Sequence, residues 1–247
     1  MKLILPILCT TFILLFSSNA HAEPPKHKKW VLTFQDEFSG QKLDESKWSV
    51  ENASPGHIMS SRWADNILVD GGVCRILTKK QKRGSKEWTT GYLWTKHFAQ
   101  KYGYYEARYK IGTSAGLNNA FWLMTNGKSS DPIHFEIDIN EGKYPDIVST
   151  NLHNWSGKHW DRHENYHAGM DLSKDYHVYG LEWDEKQIKW YFDGNVIRTM
   201  NNSIAHREAT VRFSTAVVKW AGEVTDKLDG TMMAIDYVRI YKADDSR

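Results

Sequence analysis

The sequence predicts an all-β protein built as an antiparallel β-sandwich, and three observations support this fold class. Short segments in which apolar and polar residues alternate recur along the chain, and turn-forming residues separate them. No segment carries the long 3.6-residue apolar stripe of an amphipathic helix. Because crossover helices are missing from the pattern, we expect neighbouring strands to run antiparallel.

The first 22 residues have the pattern of a secretory signal peptide. Lys2 precedes an apolar run from Leu3 to Phe16, and Ala20-His21-Ala22 supplies the small residues of a cleavage site. The apolar run is too short for a typical transmembrane helix. We therefore expect a secreted or periplasmic protein, without a membrane anchor after cleavage, and one domain over residues 23–247.

Composition narrows the possible partners of the predicted domain. After removal of residues 1–22, Cys74 is the sole cysteine, so an intrachain disulfide is excluded and the core must stabilise the fold. The net charge of +2 is too small to indicate a nucleic-acid partner. The 11 Trp and 12 Tyr exceed what a core alone needs, although many will lie in it, and aromatic rings also stack on sugars. We expect a monomer.

Alternation and turn residues place the strands of the second half of the chain. Asp193-Gly194-Asn195 is a strong hairpin turn between two of them. The predicted strands are Ala120–Met124, Ile147–Trp155, Tyr176–Trp183, Gln187–Phe192, Val196–Ile197, Thr210–Val218 and Met232–Tyr241.

The acidic segment Asp131–Glu141 is the most informative strand. Its apolar residues alternate with polar ones, so Glu136 and Asp138 share the face opposite to the apolar residues. In a regular strand, Glu141 would point to the interior. One extra residue, a β-bulge near Ile139-Asn140, would return Glu141 to the face of the other two acids.

A row of three carboxylates suits the hydrolysis of a glycosidic bond. Retaining glycosidases use two carboxyl groups, one as nucleophile and one as general acid and base. The middle acid, Asp138, would hydrogen-bond one Glu and separate the ionisation of the two. Two other interpretations remain open at this stage, namely a solvated strand face and a calcium site built from the same oxygens.

Several aromatic and basic residues are candidates for contacts with a sugar. On the strand after the acids, His153 and Trp155 fall on one face and are expected to border the carboxylates. His153 would orient the acid/base or bind a sugar hydroxyl, unless it is structural. Trp63, Trp122 and Trp220 are candidate sugar platforms, and Trp183 and Trp190 are interpreted as core.

His159, His163 and His167 recur every four residues. On a helix they would share a face and suit a zinc ion. Since the surrounding sequence lacks a helical stripe, a polar loop at the rim of a cleft is the preferred interpretation. In that loop, Arg162 would contact acidic or sulfated sugars.

The segment Glu136-Ile-Asp-Ile-Asn-Glu141 resembles the ExDxxE signature of glycoside hydrolase family 16. Its bulged form is similar to that of agarases, carrageenases, porphyranases and laminarinases. Further blocks resemble the family in the expected order, namely Phe34–Phe38, Tyr102–Arg108, Ala120–Leu123, His177–Trp183 and Asp236–Tyr241.

The resemblance implies a concanavalin-like β-jelly roll in which residues 23–247 form one catalytic domain and sugars cross the concave sheet. It implies an endo-acting retaining β-glycanase with Glu136 as nucleophile, Asp138 as its helper and Glu141 as acid/base. It also implies that catalysis needs no cofactor. Many members bind a structural calcium on the convex face, and Glu37 and Asp236 are the residues that we assign to it.

The substrate suggested by the resemblance is a β-linked galactan such as agar, porphyran or carrageenan. Laminarinases tend to carry a Pro-x-x-Gly segment before the signature, and Asp131-Pro-Ile-His-Phe135 stands there instead. The alternatives are a β-1,3 or mixed-linkage glucanase and a non-catalytic lectin with the same fold.

Overall fold

Two large antiparallel sheets make up the computed structural model, which describes residues 23–244. The predicted signal peptide, residues 1–22, lies outside the described residues. Within residues 23–244, no helix has the length and apolar character needed to cross a membrane. The prediction of an all-β antiparallel sandwich is confirmed.

The strands of residues 23–244, in chain order, are β1 (Trp30–Asp36), β2 (Trp48–Val50), β3 (Ser60–Arg62), β4 (Ile67–Asp70), β5 (Val73–Leu77), β6 (Trp88–Thr90), β7 (Tyr92–Thr95), β8 (Gly103–Lys110), β9 (Leu117–Met124), β10 (Phe135–Gly142), β11 (Ile147–Asn154), β12 (Trp160–Asp161), β13 (Glu164–His167), β14 (His177–Trp183), β15 (Gln187–Phe192), β16 (Asn195–Asn201), β17 (Thr210–Val217) and β18 (Met232–Ala243). Short 3₁₀ helices cover Ala64–Asn66, Lys219–Ala221 and Asp226–Leu228.

The sheet that carries the acids, called the acid sheet below, has the strand order β12-β11-β10-β9-β17-β7-β2, with β13 also paired to β11. The other sheet, called the outer sheet, has the order β16-β15-β14-β8-β18-β5-β4, with β1 paired to β18. A small parallel pair joins β3 to β6. Because β10 lies between β9 and β11, the acidic strand is held on both edges.

The hairpin predicted at Asp193-Gly194 is present between β15 and β16. Both residues have positive φ, 46° and 77°, which is the backbone of a type I′ turn. Gly194 adopts this conformation without a steric cost because it lacks a Cβ atom. The turn therefore fixes the register of the two strands that it joins.

The core lies between the sheets and is rich in aromatic side chains. The rings of Phe121 on β9 and Phe213 on β17 stack at 4.8 Å. Trp183 and Trp190 are fully buried, as predicted for core residues. The thiol of Cys74 is also buried, which raises its pKa and keeps it unreactive.

Phe121→Ala should destabilise the protein by about 3–5 kcal/mol, because it removes a fully buried ring and leaves a cavity between the sheets. Denaturant unfolding followed by tryptophan fluorescence would measure the free energy of unfolding. Val196→Ala, at an exposed strand position, is the control and should change it by no more than about 0.5 kcal/mol. Equal effects of both substitutions would contradict the assignment of the core.

Candidate active site

The predicted β-bulge is present in the acidic strand. Asp138 of β10 pairs with Trp122 of β9, whereas Asn140 pairs with Phe121, so β10 contains one extra residue, Ile139, between them. Glu141 then pairs with Ala120 and is partly exposed, like Glu136. The bulge thus puts the third acid on the face of the first two, as predicted from the sequence.

Hydrogen bonds from the core and from β11 anchor the bulged segment of β10. The indole N–H of Trp190, on the outer sheet, donates to the backbone oxygen of Asp138 at 2.8 Å. The side chain of Asn140 is fully buried; its amide donates to the Tyr109 hydroxyl at 2.7 Å, and its oxygen accepts from the Ser149 backbone N–H at 3.2 Å. Three strands therefore hold the bulge in place.

Each acid has a polar partner from a neighbouring strand or loop. The Trp155 indole N–H donates to Glu136 Oε2 at 2.9 Å. His153 Nε2 lies 3.2 Å from Asp138 Oδ2. The Asn118 amide donates to Glu141 Oε1 at 2.8 Å. His153 and Trp155 thus border the carboxylates, as the sequence predicted.

Burial raises the pKa of all three carboxyls, and a neighbouring carboxylate adds to the shift at Glu136 and at Asp138. Burial and the adjacent Asp138 raise the pKa of Glu136 to about 8. Burial and the charge of Glu141 hold the pKa of Asp138 well above its usual range. Burial also raises the pKa of Glu141, although Lys143 and Asn118 oppose that shift. The row therefore retains at least one proton at neutral pH, which Asp138, the most buried of the three, is best placed to hold.

A buried lysine, which the sequence analysis did not single out, lies beside the acids. Lys143 is 9% exposed and donates to Ser149 Oγ at 3.3 Å. Its ammonium group is 5.1 Å from the ring centre of Trp220. Burial lowers the pKa of Lys143, and the charges of Glu141 and Asp138 oppose the shift. The sequence contained a signal for this residue: Lys143 follows Glu141 by two residues, and side chains two residues apart on a strand lie on the same face.

A group of three rings lies at the Glu136 end of the acid row. The rings of Trp155 and His159 stack at 4.1 Å, and His153 lies parallel to Trp155 at 5.3 Å. His153 Nδ1 and His159 Nε2 are 3.0 Å apart, at hydrogen-bond distance. These contacts fix the orientation of the two side chains that contact Glu136 and Asp138.

Trp122 is on the floor of the acid sheet, next to Asp138. Its two strand neighbours Phe121 and Leu123 are fully buried, whereas Trp122 is partly exposed. Its ring stacks on Tyr92 at 5.6 Å, and the guanidinium group of Arg212 lies 5.0 Å from its centre. The geometry therefore suits the predicted role of a sugar platform.

The other predicted sugar contacts lie farther from the acids or in different surroundings. The Trp63 indole donates to Ser61 Oγ at 2.7 Å, and the guanidinium group of Arg83 covers its ring at 4.0 Å. Trp220 is 57% exposed, and its ring contacts the ammonium group of Lys143, which lies beside the acid row. The exposed side chain of Arg162 lies 4.8 Å from the ring of Trp160. Their roles in binding stay predictions.

The histidines with four-residue spacing diverge. His159 stacks on Trp155, His163 Nε2 lies 2.8 Å from Ser149 Oγ, and His167 Nδ1 lies 3.2 Å from Asp146 Oδ2. The zinc arrangement on a helix is therefore absent from this segment. The prediction of a polar loop was wrong in part, because this segment contains two short strands, β12 and β13, that pair with β11.

Two sets of residues are candidate ligands of a metal ion. Glu37 forms a bidentate ion pair with Arg239 at 2.8 and 3.0 Å, and Asp236 pairs with Arg108 at 2.6 Å. A calcium ion would have to replace these arginines, and the calcium site stays a prediction.

The second set, Glu136, Asp138 and His153, offers ligand atoms within 4.8 Å of one another. A histidine nitrogen in that set suits calcium poorly, because calcium prefers oxygen ligands.

Fold and site together define a protein of the glycosidase class, with acids on one rigid strand of a β-sandwich. The sequence model of the glycosyl hydrolases family 16 matches residues 60–239. The chain belongs to this family, which confirms the resemblance drawn from its motifs.

Individual relatives agree with the family assignment. The chain is 27% identical to the kappa-carrageenase of Pseudoalteromonas carrageenovora, an alignment that covers 96% of this chain and 72% of that protein. It is 28% identical to the glucan endo-1,3-beta-glucosidase A1 of Niallia circulans, over 85% of this chain. The alignment spans 38% of the length of that glucosidase.

A solved structure has the same fold. The catalytic domain of an endo-1,3-beta-glucanase (laminarinase) from Thermotoga petrophila RKU-1 superposes with a TM-score of 0.79 and is 25% identical. The match covers 88% of this chain and all of that domain. The predicted jelly-roll sandwich is thereby confirmed.

Proposed function

We propose that this protein is an exported, endo-acting, retaining hydrolase of a β-linked polysaccharide. The observation that carries the proposal is the bulge, which lines up Glu136, Asp138 and Glu141 on one face of β10. Export rests on the signal-peptide pattern of residues 1–22. Retention of configuration follows from using one carboxylate as nucleophile and another as acid and base.

The first step uses all three acids. The carboxylate of Glu136 attacks the anomeric carbon and forms a glycosyl ester while the glycosidic C–O bond breaks. The departing oxygen takes the proton of Glu141, whose orientation is set by the Asn118 amide. Asp138 keeps its own proton and donates it in a hydrogen bond to Glu136. A neutral Asp138 no longer repels charge on Glu136, and the hydrogen bond stabilises the carboxylate, so Glu136 is an anion when it attacks.

The second step regenerates the enzyme. Water attacks the same carbon, gives a proton to Glu141 and releases the carboxylate of Glu136. His153, whose Nε2 lies 3.2 Å from Asp138 Oδ2, holds the Asp138 carboxyl in position beside Glu136 during both steps.

For the substrate, we propose a β-linked galactan of the agar, porphyran or carrageenan type. The segment Asp131–Phe135 in place of the laminarinase motif and the relation to a kappa-carrageenase support this choice. A β-1,3 or mixed-linkage glucan is the second candidate, which the relation to the endo-1,3-beta-glucosidase and the laminarinase domain supports equally.

The test is incubation of the purified protein with agar, carrageenan, laminarin, mixed-linkage glucan and mucin glycans. We expect shorter oligosaccharides from one of these polymers and none from the Glu136→Gln variant, because an amide cannot act as the nucleophile. Glu87→Gln, at an exposed bend just before β6, is the matched control and should cleave as the parent does. Binding without cleavage by the parent across the panel would point to a lectin instead.

Glu141→Gln should reduce hydrolysis of the polymer by about 10²–10⁴-fold, since the leaving oxygen loses its proton donor. A substrate with a good leaving group, such as a dinitrophenyl glycoside of the released oligosaccharide, needs little acid assistance and should lose much less. Steady-state kinetics on both substrates would measure the two losses. Equal losses would contradict the role of Glu141 as acid/base.

Lys143→Met should shift the basic limb of the kcat/KM profile to higher pH. The Lys143 ammonium lowers the pKa of Glu141, so its removal lets Glu141 keep its proton, and remain an active acid, at higher pH. The other titratable groups facing Glu141 are Glu136, Asp138, His153 and His163, and they are unchanged. Lys143→Arg retains the charge and serves as control; a basic limb that stays in place in Lys143→Met would exclude this influence.

A further inference from the structure

Three side chains that can bind a metal ion converge at the acid row. Glu136 and Asp138 lie on β10, and His153 of β11 is directly opposite Glu136. Each offers one ligand atom, and the three atoms lie within 4.8 Å of one another. In a tetrahedral zinc site, ligand atoms that are about 2.0–2.1 Å from the ion lie about 3.3–3.4 Å from each other. The 3.2 Å between His153 Nε2 and Asp138 Oδ2 fits that separation.

The Asp138 oxygen in this group makes no hydrogen bond. Asp138 is 2% exposed, and its Oδ2 has no hydrogen-bond partner among residues 23–244, although His153 Nε2 is close to it. Buried polar atoms without a partner are rare in folded proteins, because such an atom has lost its contact with water. A cation bound between Asp138 Oδ2 and His153 Nε2 would satisfy this oxygen.

Neighbouring groups determine which nitrogen of His153 carries the proton. The backbone N–H of Arg162 donates to Asn151 Oδ1 at 3.0 Å, so the amide nitrogen of Asn151 faces His153 Nε2 at 2.9 Å. A ring nitrogen that accepts a hydrogen bond from this amide has a lone pair and no proton, which is the form that binds metal ions. The Asn151 amide is also 3.3 Å from Asp161 Oδ2, to which it can donate when an ion occupies Nε2.

The other ring nitrogen of His153 is held by a second histidine. Nδ1 carries the proton and donates to His159 Nε2 at 3.0 Å. The His153 ring also lies parallel to Trp155. Histidines that bind a metal ion almost always donate their second ring N–H to a neighbour, which fixes the orientation of the ring. The His153 ring is therefore already oriented as in a metal site.

We propose that Glu136, Asp138 and His153 bind a zinc ion that reversibly blocks the catalytic cleft. Zinc accepts an imidazole nitrogen together with carboxylate oxygens, whereas calcium prefers oxygen ligands alone. Three protein ligands leave a fourth position for water on the cleft side, where Glu136 is partly exposed. The ion takes the place of the proton on Asp138, which passes to the solvent.

Inhibition follows from the identity of the ligands, and this consequence rests on the proposed function. A Glu136 carboxylate that is bound to zinc no longer has a free electron pair directed at the anomeric carbon. Asp138 in the zinc complex has no proton to donate to Glu136. Zinc and the polysaccharide therefore compete for the same carboxylates.

Isothermal titration calorimetry with zinc chloride tests the site in chelator-treated protein that carries no polyhistidine tag. His153→Gln removes a direct ligand and should weaken zinc binding more than about 100-fold. His159→Phe keeps an aromatic ring beside Trp155 but removes the acceptor for the Nδ1 proton, and it should weaken binding about 10–100-fold. The matched control is His167→Gln, at an exposed position of β13 beside Asp146, which should leave the affinity unchanged.

Two further measurements separate this site from zinc bound elsewhere on the protein. Zinc should raise the Tm of the parent and leave that of His153→Gln unchanged, and the Tm of each zinc-free variant shows that its fold is retained. An excess of calcium chloride should not displace the zinc. Equal zinc affinities of the parent and His153→Gln, no binding by the parent, or displacement by calcium would overturn the zinc site.

Hydrolysis is measured separately, so the zinc site and the proposed function can fail independently. With a polymer that the parent cleaves, zinc should inhibit in competition with the polymer, and a chelator should restore the rate. Cleavage at the full rate by zinc-saturated protein would contradict the block. If the parent binds zinc through His153 but cleaves none of the polymers, the zinc site stands and the proposed function fails. If it cleaves a polymer without His153-dependent zinc binding, the reverse holds.

Discussion

The site depends on accommodating one extra residue inside a strand that is paired on both edges. Without Ile139, alternation would direct Glu141 into the core and leave the face with two acids. The bulge is held by two residues of the outer sheet: the Trp190 indole donates to the backbone oxygen of Asp138, and the Tyr109 hydroxyl accepts from the side-chain amide of Asn140. Catalytic geometry and core packing are therefore coupled through these two aromatic residues.

The negative charge of the acid row is balanced from a distance. Glu136 and Glu141 have neutral donors, Trp155 and Asn118, as their closest polar partners, and the lysine at position 143 acts on Glu141 through space. A direct ion pair would hold a glutamate ionised and weaken it as a proton donor. The arrangement leaves Glu141 able to gain and lose a proton in one catalytic cycle.

Sequence periodicity was sufficient for the sandwich and for the shared face of Glu136 and Asp138. The bulge was predicted because regular alternation alone would have turned Glu141 inward, away from the other two acids. Periodicity also placed His153 and Trp155 beside the acids, since β11 follows β10 by a short connection. The contacts of Arg212 were not predictable, because they need the order β10-β9-β17-β7, in which distant segments become neighbours. Trp63 shows the converse: its polar sequence context suggested an exposed platform, but Arg83 covers its ring.

Because β10 is not central in its sheet, the sheet surface on one side of the catalytic acids is wider than on the other. Four strands, β9, β17, β7 and β2, continue the floor on one side, about 19 Å at normal strand spacing, whereas β11 and β12 extend it by about 10 Å on the other. A polymer bound across the strands would contact a longer part of the sheet on the β2 side of the acids than on the β12 side. The shortest oligosaccharide that is still cleaved should thus be determined by how many rings occupy the longer side.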